Sequence, residues 1–360
     1  GPILMFIALT GVFEPSAIQQ LPDGRFLVAE DEKAHPFTLL TLRADGTSTT
    51  APLLAPGPDA GAALSKLDDL EGITADAAGD VYAITSHSRN ADGEEKKSRE
   101  KLIRFRIEGD RAVAPVVVKD LKAALTAAHP MLAAAAEITD VKAKGGLNVE
   151  GLEMAPDGQL LLLGFRSPLH EGRALVAAIE NPREIFESGA APRISPHLDT
   201  LDLGGHGIRG MSWVPPLAGY LVISGPVAKE RTQFRLWFWS GQPGAAPRRV
   251  SVPGLPGFEH AEGVCPAIID GQTRIVVVSD DGDRKAGRPA RFLALEPGQL
   301  RIEGAAAQMR SEHPDVADRT VDQADIDAAN AYVDRVRTSG YTAGEIAQLQ
   351  SGTLHEPLRV

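Results

Sequence analysis

Glutamate or arginine recurs in this chain beside a glycine or proline that opens an apolar segment: Glu14-Pro15, Glu71-Gly72, Glu150-Gly151, Arg209-Gly210 and Glu262-Gly263. Four carboxylates drawn towards one point would repel one another strongly unless positive charge lay among them. A hard divalent cation is one answer. Oxygen ligands without cysteine favour Ca²⁺, with Mg²⁺ as second choice, and Glu71, Glu150 and Glu262 would hold it. Internal pairing is the other, because Arg209, Arg166, Arg89, His87 and His206 would neutralise the same carboxylates without a metal. Each glutamate also has a purely structural reading, in which it accepts backbone N–H bonds from a neighbouring unit.

A second polar set follows each signature: Ala29-Glu30-Asp31-Glu32, Ser86-His87-Ser88-Arg89, Gly164-Phe165-Arg166-Ser167, Ser224-Gly225-Pro226 and Ser279-Asp280-Asp281-Gly282-Asp283. Arg89, Arg166 and Arg209, with His206, suit an oxyanion or phosphate, since a guanidinium pairs with two oxygens at once. His87 or Asp280 would handle protons, and Asp281 beside it would help hold a metal or activate water, although the acidic run lacks EF-hand spacing. The chemistry implied is metal-assisted hydrolysis of a phosphorylated or other anionic small ester.

Positioning these residues requires repeated hairpins. Turns stand at Pro22-Asp23-Gly24, Ala78-Gly79-Asp80, Pro156-Asp157-Gly158 and Asp270-Gly271, flanked by apolar and β-branched residues. The first residue of strand one and the last of strand two lie at the same hairpin end, so signatures and polar tips converge on one face. Units roughly 50 to 80 residues apart predict an all-β chain, a β-propeller of five or six blades. Third strands are expected at 38–42, 101–107, 174–179, 234–239 and 291–295, and fourth strands at 114–118 and 248–252. The apolar runs 160–163 and 275–278 read as inner strands buried on both faces, and residues 3–9 as a strand closing the last blade.

An alanine- and leucine-rich insertion at 120–138 is predicted to be helical, broken by His129-Pro130. The polar stretch 89–101 reads as a loop overhanging the charged face. Residues 1–310 form the expected propeller, and 311–360 a helical appendage with a helix over 322–338 and a capping box at 342–345, docking in cis or joining a homo-oligomer.

Formal net charge of −11 opposes a broad nucleic-acid surface. The single cysteine, Cys265, forbids an intrachain disulfide. No apolar run approaches the roughly 20 residues of a membrane span. Gly1-Pro2 reads as a protease-cleavage scar, so the compartment is open, with cytoplasm favoured over periplasm or secretion. There is no Gly-x-Ser-x-Gly elbow, no His-Glu-x-x-His and no P-loop ending at Gly204–Gly210.

The segments Leu70-Glu71-Gly72, Leu147-Asn148-Val149-Glu150-Gly151-Leu152, Gly164-Phe165-Arg166-Ser167-Pro168-Leu169, Gly207-Ile208-Arg209, Tyr220–Pro226 and Ser279-Asp280-Asp281-Gly282 together resemble the family called domain of unknown function 3616. The likeness runs from about Glu14 to Leu295. It supports a propeller and brings no activity. More distantly, the Glu-Gly hairpins look like those of esterase-like phytases and calcium-dependent propeller hydrolases, which implies a metal-assisted hydrolase without assigning any ligand. The alternative is a non-catalytic propeller that binds a protein or peptide partner on the same face.

Overall fold

A computed structural model describes residues 4–32, 34–228, 234–258 and 260–304. The expected C-terminal helices lie outside the described residues. Strand β1 (Ile7–Ala8) is followed by blade 1, β2 (Pro15–Gln20), β3 (Phe26–Glu30), β4 (Phe37–Leu42) and β5 (Ser48–Pro52). Helix α1 (Gly57–Ser65) leads to blade 2, β6 (Leu70–Ala75), β7 (Val81–Thr85), β8 (Leu102–Glu108) and β9 (Arg111–Val118). The insertion folds as α2 (Leu121–Ala128), α3 (Pro130–Ala136) and α4 (Val141–Lys144), and the break falls at His129 as expected. Blade 3 is β10 (Asn148–Met154), β11 (Leu161–Ser167), β12 (Ala174–Ile179) and, after α5 (Pro182–Ser188), β13 (Asp199–Leu201). Blade 4 is β14 (Gly207–Val214), β15 (Gly219–Gly225), β16 (Arg235–Trp239) and β17 (Arg248–Ser251). Blade 5 is β18 (Ala261–Ile269), β19 (Gln272–Ser279) and β20 (Arg291–Leu295), after which β21 (Arg301–Ile302) returns to the edge of blade 4.

Five antiparallel sheets thus make a five-bladed propeller. Strand β1 pairs with β20, Ile7 opposite Phe292, so the chain's start completes the last blade. The innermost strands β2, β6, β10, β14 and β18 each touch the next around the ring. The apolar runs at 160–163 and 275–278 belong to second strands, not inner ones: β11 and β19 lie between two strands and are covered on both faces, whereas an inner strand has one edge on the axis. Apolar side chains between blades form the core clusters, as where Phe37 meets Phe105 edge-on at 5.2 Å between blades 1 and 2. No helix among the described residues is long and apolar enough to cross a membrane.

Each inner strand carries a β-bulge at the same point. Pairing with the second strand jumps from Pro15 to Ala17, Leu70 to Gly72, Val149 to Gly151, Ile208 to Gly210 and Ala261 to Gly263. The extra residue is unpaired and its side chain is re-aimed. The glycine after it has a packing reason. A Cβ on Gly72 would lie 2.8 Å from Leu152 Cβ, one on Gly210 2.6 Å from the Glu262 carbonyl oxygen, and one on Gly263 3.1 Å from Ile18 N, always on the next blade. A Gly210→Ala variant is therefore expected to lose about 1–3 kcal/mol, whereas Gly61→Ala in α1, whose Cβ would meet Ala55 O at a comfortable 3.6 Å, is not. Paired thermal melts check this; equal melting temperatures would remove the close-packing explanation.

Candidate functional site

The five bulge residues are Ser16, Glu71, Glu150, Arg209 and Glu262. Glu14, which the repeat suggested as the first member, lies two residues early, and the equivalent position is Ser16, whose hydroxyl donates to Leu70 O at 2.7 Å. Ser16, Glu71, Glu150 and Glu262 line a narrow axial passage of about 10 Å³, no more than a water's worth, together with an apolar collar of Ile18, Ile73, Leu152, Met211 and Val264.

Arg209 is the electrostatic keystone. It is 6 % exposed, its Nη1 donates to Glu262 Oε1 at 3.2 Å, its Nη2 donates to Pro226 O at 2.6 Å, and its guanidinium lies 4.7 Å from the Phe234 ring centre. Glu150 Oε2 stands 3.9 Å from Arg209 Nε and 3.7 Å from Arg166 Nε, outside hydrogen-bond reach of both. Burial pushes Glu262 well above the usual carboxylate range despite Arg209, with Glu150 and Asp280 adding to the rise.

Glu71 differs from the other two glutamates. Burial first, then the charges of Glu150, Asp69 and Glu262, push its carboxyl well above the ordinary range. Of the three it alone is also on the wall of a cavity of about 400 Å³ that opens on the same face between blades 1, 2 and 3. Asp31, Asp69, Ser88, Arg89, Arg99, Asn148 and Arg166 share that wall, with Thr139–Lys142 from the insertion. Asn148 is 5 % exposed and its Oδ1 has no hydrogen-bond partner. The volume falls in the range of small-molecule sites, with a wall far more polar than most of them have.

The expected residues divide sharply. Glu71, Arg89 and Arg166 meet in the cavity. Arg89 is occupied with bracing its loop, donating to Ala136 O and Gly93 O, each at 3.0 Å. With Lys122 tied to Glu95 and Glu100, stretch 89–101 is a braced wall rather than a loose overhang. His87 is fully buried off the cavity, its Nδ1 2.8 Å from Thr85 O, and burial brings its pKa down to about 4, so it stays neutral and is not a proton carrier here. His206 lies 3.0 Å from the Ser224 hydroxyl and is also brought down to about 4, by burial and then by Arg235 and Arg209; it is a packed imidazole rather than an anion ligand. Asp281 is spent on Arg291 and on the Ser279 hydroxyl, and these bonds hold it below its usual range. Asp280 remains solvent-accessible, yet partial enclosure and then Glu14, Asp281 and Asp31 push it up to about 7.

The proposed calcium ligands do not form a cage. Glu150 and Glu262 face guanidinium groups, and among the described residues no three His, Cys, Asp or Glu side chains are grouped to hold a metal. The donor set therefore does not fit Ca²⁺ as arranged.

Sequence reading missed Asp31, Asp69, Arg99, Asn148 and Lys142. Asp31 stood in a polar tip and Asn148 two residues before Glu150, so both were within view of the repeat. Lys142 comes from the insertion, which no repeat register could align. A larger cavity, about 530 Å³, opens at the opposite hairpin ends, where Glu153 is fixed by bonds from Thr74, Met154 N and Trp213 N. Burial pushes Glu153 up to about 7, but its oxygens are already committed.

Residues 118–291 match the family model described as protein of unknown function, DUF3616. The DUF3616 match runs from the end of β9 to the start of β20 and contains Glu150, Arg166, Arg209 and Glu262; Glu71 precedes it. The motif resemblance extends further towards the start of the chain than this match. No curated protein matches the chain. Among solved structures, a Thermus thermophilus protein described as an oxidoreductase (glucose dehydrogenase) is 16 % identical, with 81 % of this chain and 100 % of that one covered, at a TM-score of 0.41. The PQQ-bound aldose sugar dehydrogenase of Streptomyces coelicolor is 16 % identical over 82 % of this chain and 97 % of its own, at 0.39. The allergen Mala s 1 of Malassezia sympodialis is 12 % identical over 78 % of each, at 0.37. At such scores none of them speaks to activity.

Proposed function

We propose that the protein is a hydrolase of a small anionic ester, working in the 400 Å³ cavity. The observation that carries this is the place of Glu71 on a cavity wall shared with Arg166, where burial and then the charges of Glu150, Asp69 and Glu262 raise its carboxyl well above the ordinary range and favour its proton-bearing form. Arg166 spends Nε on Val227 O at 3.1 Å, and its remaining N–H groups, which have no acceptor among the described residues, suit an oxyanion. Water adds to the electrophilic carbon or phosphorus and loses its proton to solvent, and Glu71 gives its proton to the departing alkoxide. An acid and an alcohol result.

Hydrolysis of aryl phosphates, acyl esters and lactones by wild type and Glu71→Gln tests the reading, and absence of any Glu71-dependent turnover would overturn it. Among the described residues calcium has no preassembled cage, so EDTA-stripped protein is expected to melt within about 1 °C of protein in millimolar Ca²⁺, whereas a site at 100 times its dissociation constant would add about 2.7 kcal/mol. A shift of several degrees would restore the metal-dependent form of the mechanism. A non-catalytic propeller that binds a protein partner is the second reading, favoured by the internal pairing of Arg209 with Glu262 and Glu150.

A further inference from the structure

We propose that the ligand of the Glu71 cavity is a small zwitterion, its cationic group received by Asp31 and its anionic group by Arg166 and Lys142. The inference rests on the reading of this cavity as an anion-binding hydrolase site and goes further by naming the second charge. The cavity wall carries charge of both signs. Asp31, Asp69 and Glu71 with Arg89 and Arg99 come from blades 1 and 2, while Arg166, Lys142 and Asp140, which caps α4 through Ala143 N, come from blade 3 and the segment before it.

The groups already used can be set aside. Asp69 is bound by Arg99 at 2.6 Å, Arg99 also donates to Ser88 O and Ser88 Oγ, and Arg89 braces its loop. What is left over is polar at both ends. Asp31 has no hydrogen bond or ion pair with any described residue, and its charge is felt mainly by Asp69, Asp68 and Glu14, with only Arg99 opposing. Lys142 likewise has no described partner, and Arg166 serves Val227 O and stands 3.7 Å from Glu150 through Nε, its other N–H groups having no acceptor among the described residues. Asn148, with its buried carbonyl oxygen unpartnered, lines the same cavity and calls for an N–H donor.

A simple anion would satisfy the basic end while meeting repulsion from Asp31, and a simple cation would do the reverse. A ligand carrying both charges, with an N–H donor for Asn148, satisfies Asp31, Asn148, Lys142 and Arg166 at once. Enclosure also raises the carboxyl of Asp31 above its usual range, a cost that an adjacent ammonium would relieve.

Calorimetric titration of the full chain with two matched pairs tests this: O-phosphoethanolamine against ethyl phosphate, and β-alanine against propionate. The amine-bearing member of at least one pair is expected to bind ten-fold or more tightly than its partner. Asp31→Asn, checked for an unchanged melt, should erase that difference, weakening the amine-bearing member and, with the repulsion removed, leaving the simple anion bound as well as before or more tightly. Equal binding within both pairs, or a preference that survives Asp31→Asn, overturns the zwitterion while the anion-binding reading stands. If Glu71-dependent ester hydrolysis is found but none of the four compounds binds, the zwitterion assignment falls alone; if hydrolysis is also absent, both fall.

Discussion

An Arg209→Met variant is expected to lose about 3–5 kcal/mol of stability near pH 8, because removing one partner of a buried ion pair strands charge that cannot be solvated. Arg209 is the cation shared by Glu262 and Glu150, and methionine keeps the packing against Phe234 while deleting the charge. The pH dependence has a definite sign. Glu262 already has a folded pKa above its unfolded value, and loss of Arg209 raises it further. A raised folded pKa gives a stability contribution that is full below about 4.5 and is lost as pH rises towards the folded value. The variant should thus recover much of its deficit at pH 5, and a second change, Glu262→Gln, should recover part of it at pH 8. Urea unfolding at both pH values decides the matter: a deficit below about 1 kcal/mol at pH 8 would mean that solvent, not Arg209, neutralises the ring.

Glu71→Gln is expected to separate function from stability. Turnover should fall about 100-fold or more, the usual contribution of a positioned proton donor. Stability should move the other way at alkaline pH. Wild-type Glu71 also has a raised folded pKa, so its contribution is present below about 4.5 and is lost as pH rises through the folded value, where ionisation sets it against Glu150, Asp69 and Glu262. Glutamine cannot ionise and escapes that loss. Melts of the two proteins should converge in acid and diverge in favour of the variant above neutrality. A variant that is both fully active and less stable would leave Glu71 as a structural acid only.

Most of the propeller was legible because its hairpins carry turn residues at fixed places and β-branched runs between them. The strand ends at Ala174–Ile179 and Arg291–Leu295 fall where the pattern puts them. Strands β5 and β13 were not legible: Ser48–Pro52 and Asp199–Leu201 form outer edges, where solvent removes the apolar alternation. Helices α1 and α5 are short and were hidden for a similar reason, each burying only three side chains.

The site was half legible. Repetition located the ring, yet it misaligned blade 1, since Glu14-Pro15 imitates Glu-Gly in sequence while the bulge falls at Ser16. It also could not tell a spent charge from an available one. Arg166 and Arg209 read alike as arginines near glycine, but one reaches the cavity and the other is consumed by Glu262 and Pro226. Partner identity depends on contacts between blades, and no single repeat contains those.

The bulge separates two jobs that most strand residues perform together. Ladder pairing resumes at the following small residue, which packs closely on the next blade, so the side chain at the bulge takes no part in the ladder and is free to reach across it. The ring is therefore a set of equivalent sockets. Serine in one, arginine in another and glutamate in three show the range that the same backbone accepts, and a new binding preference could be installed by exchanging sockets while the sum of charge on the axis is kept in balance.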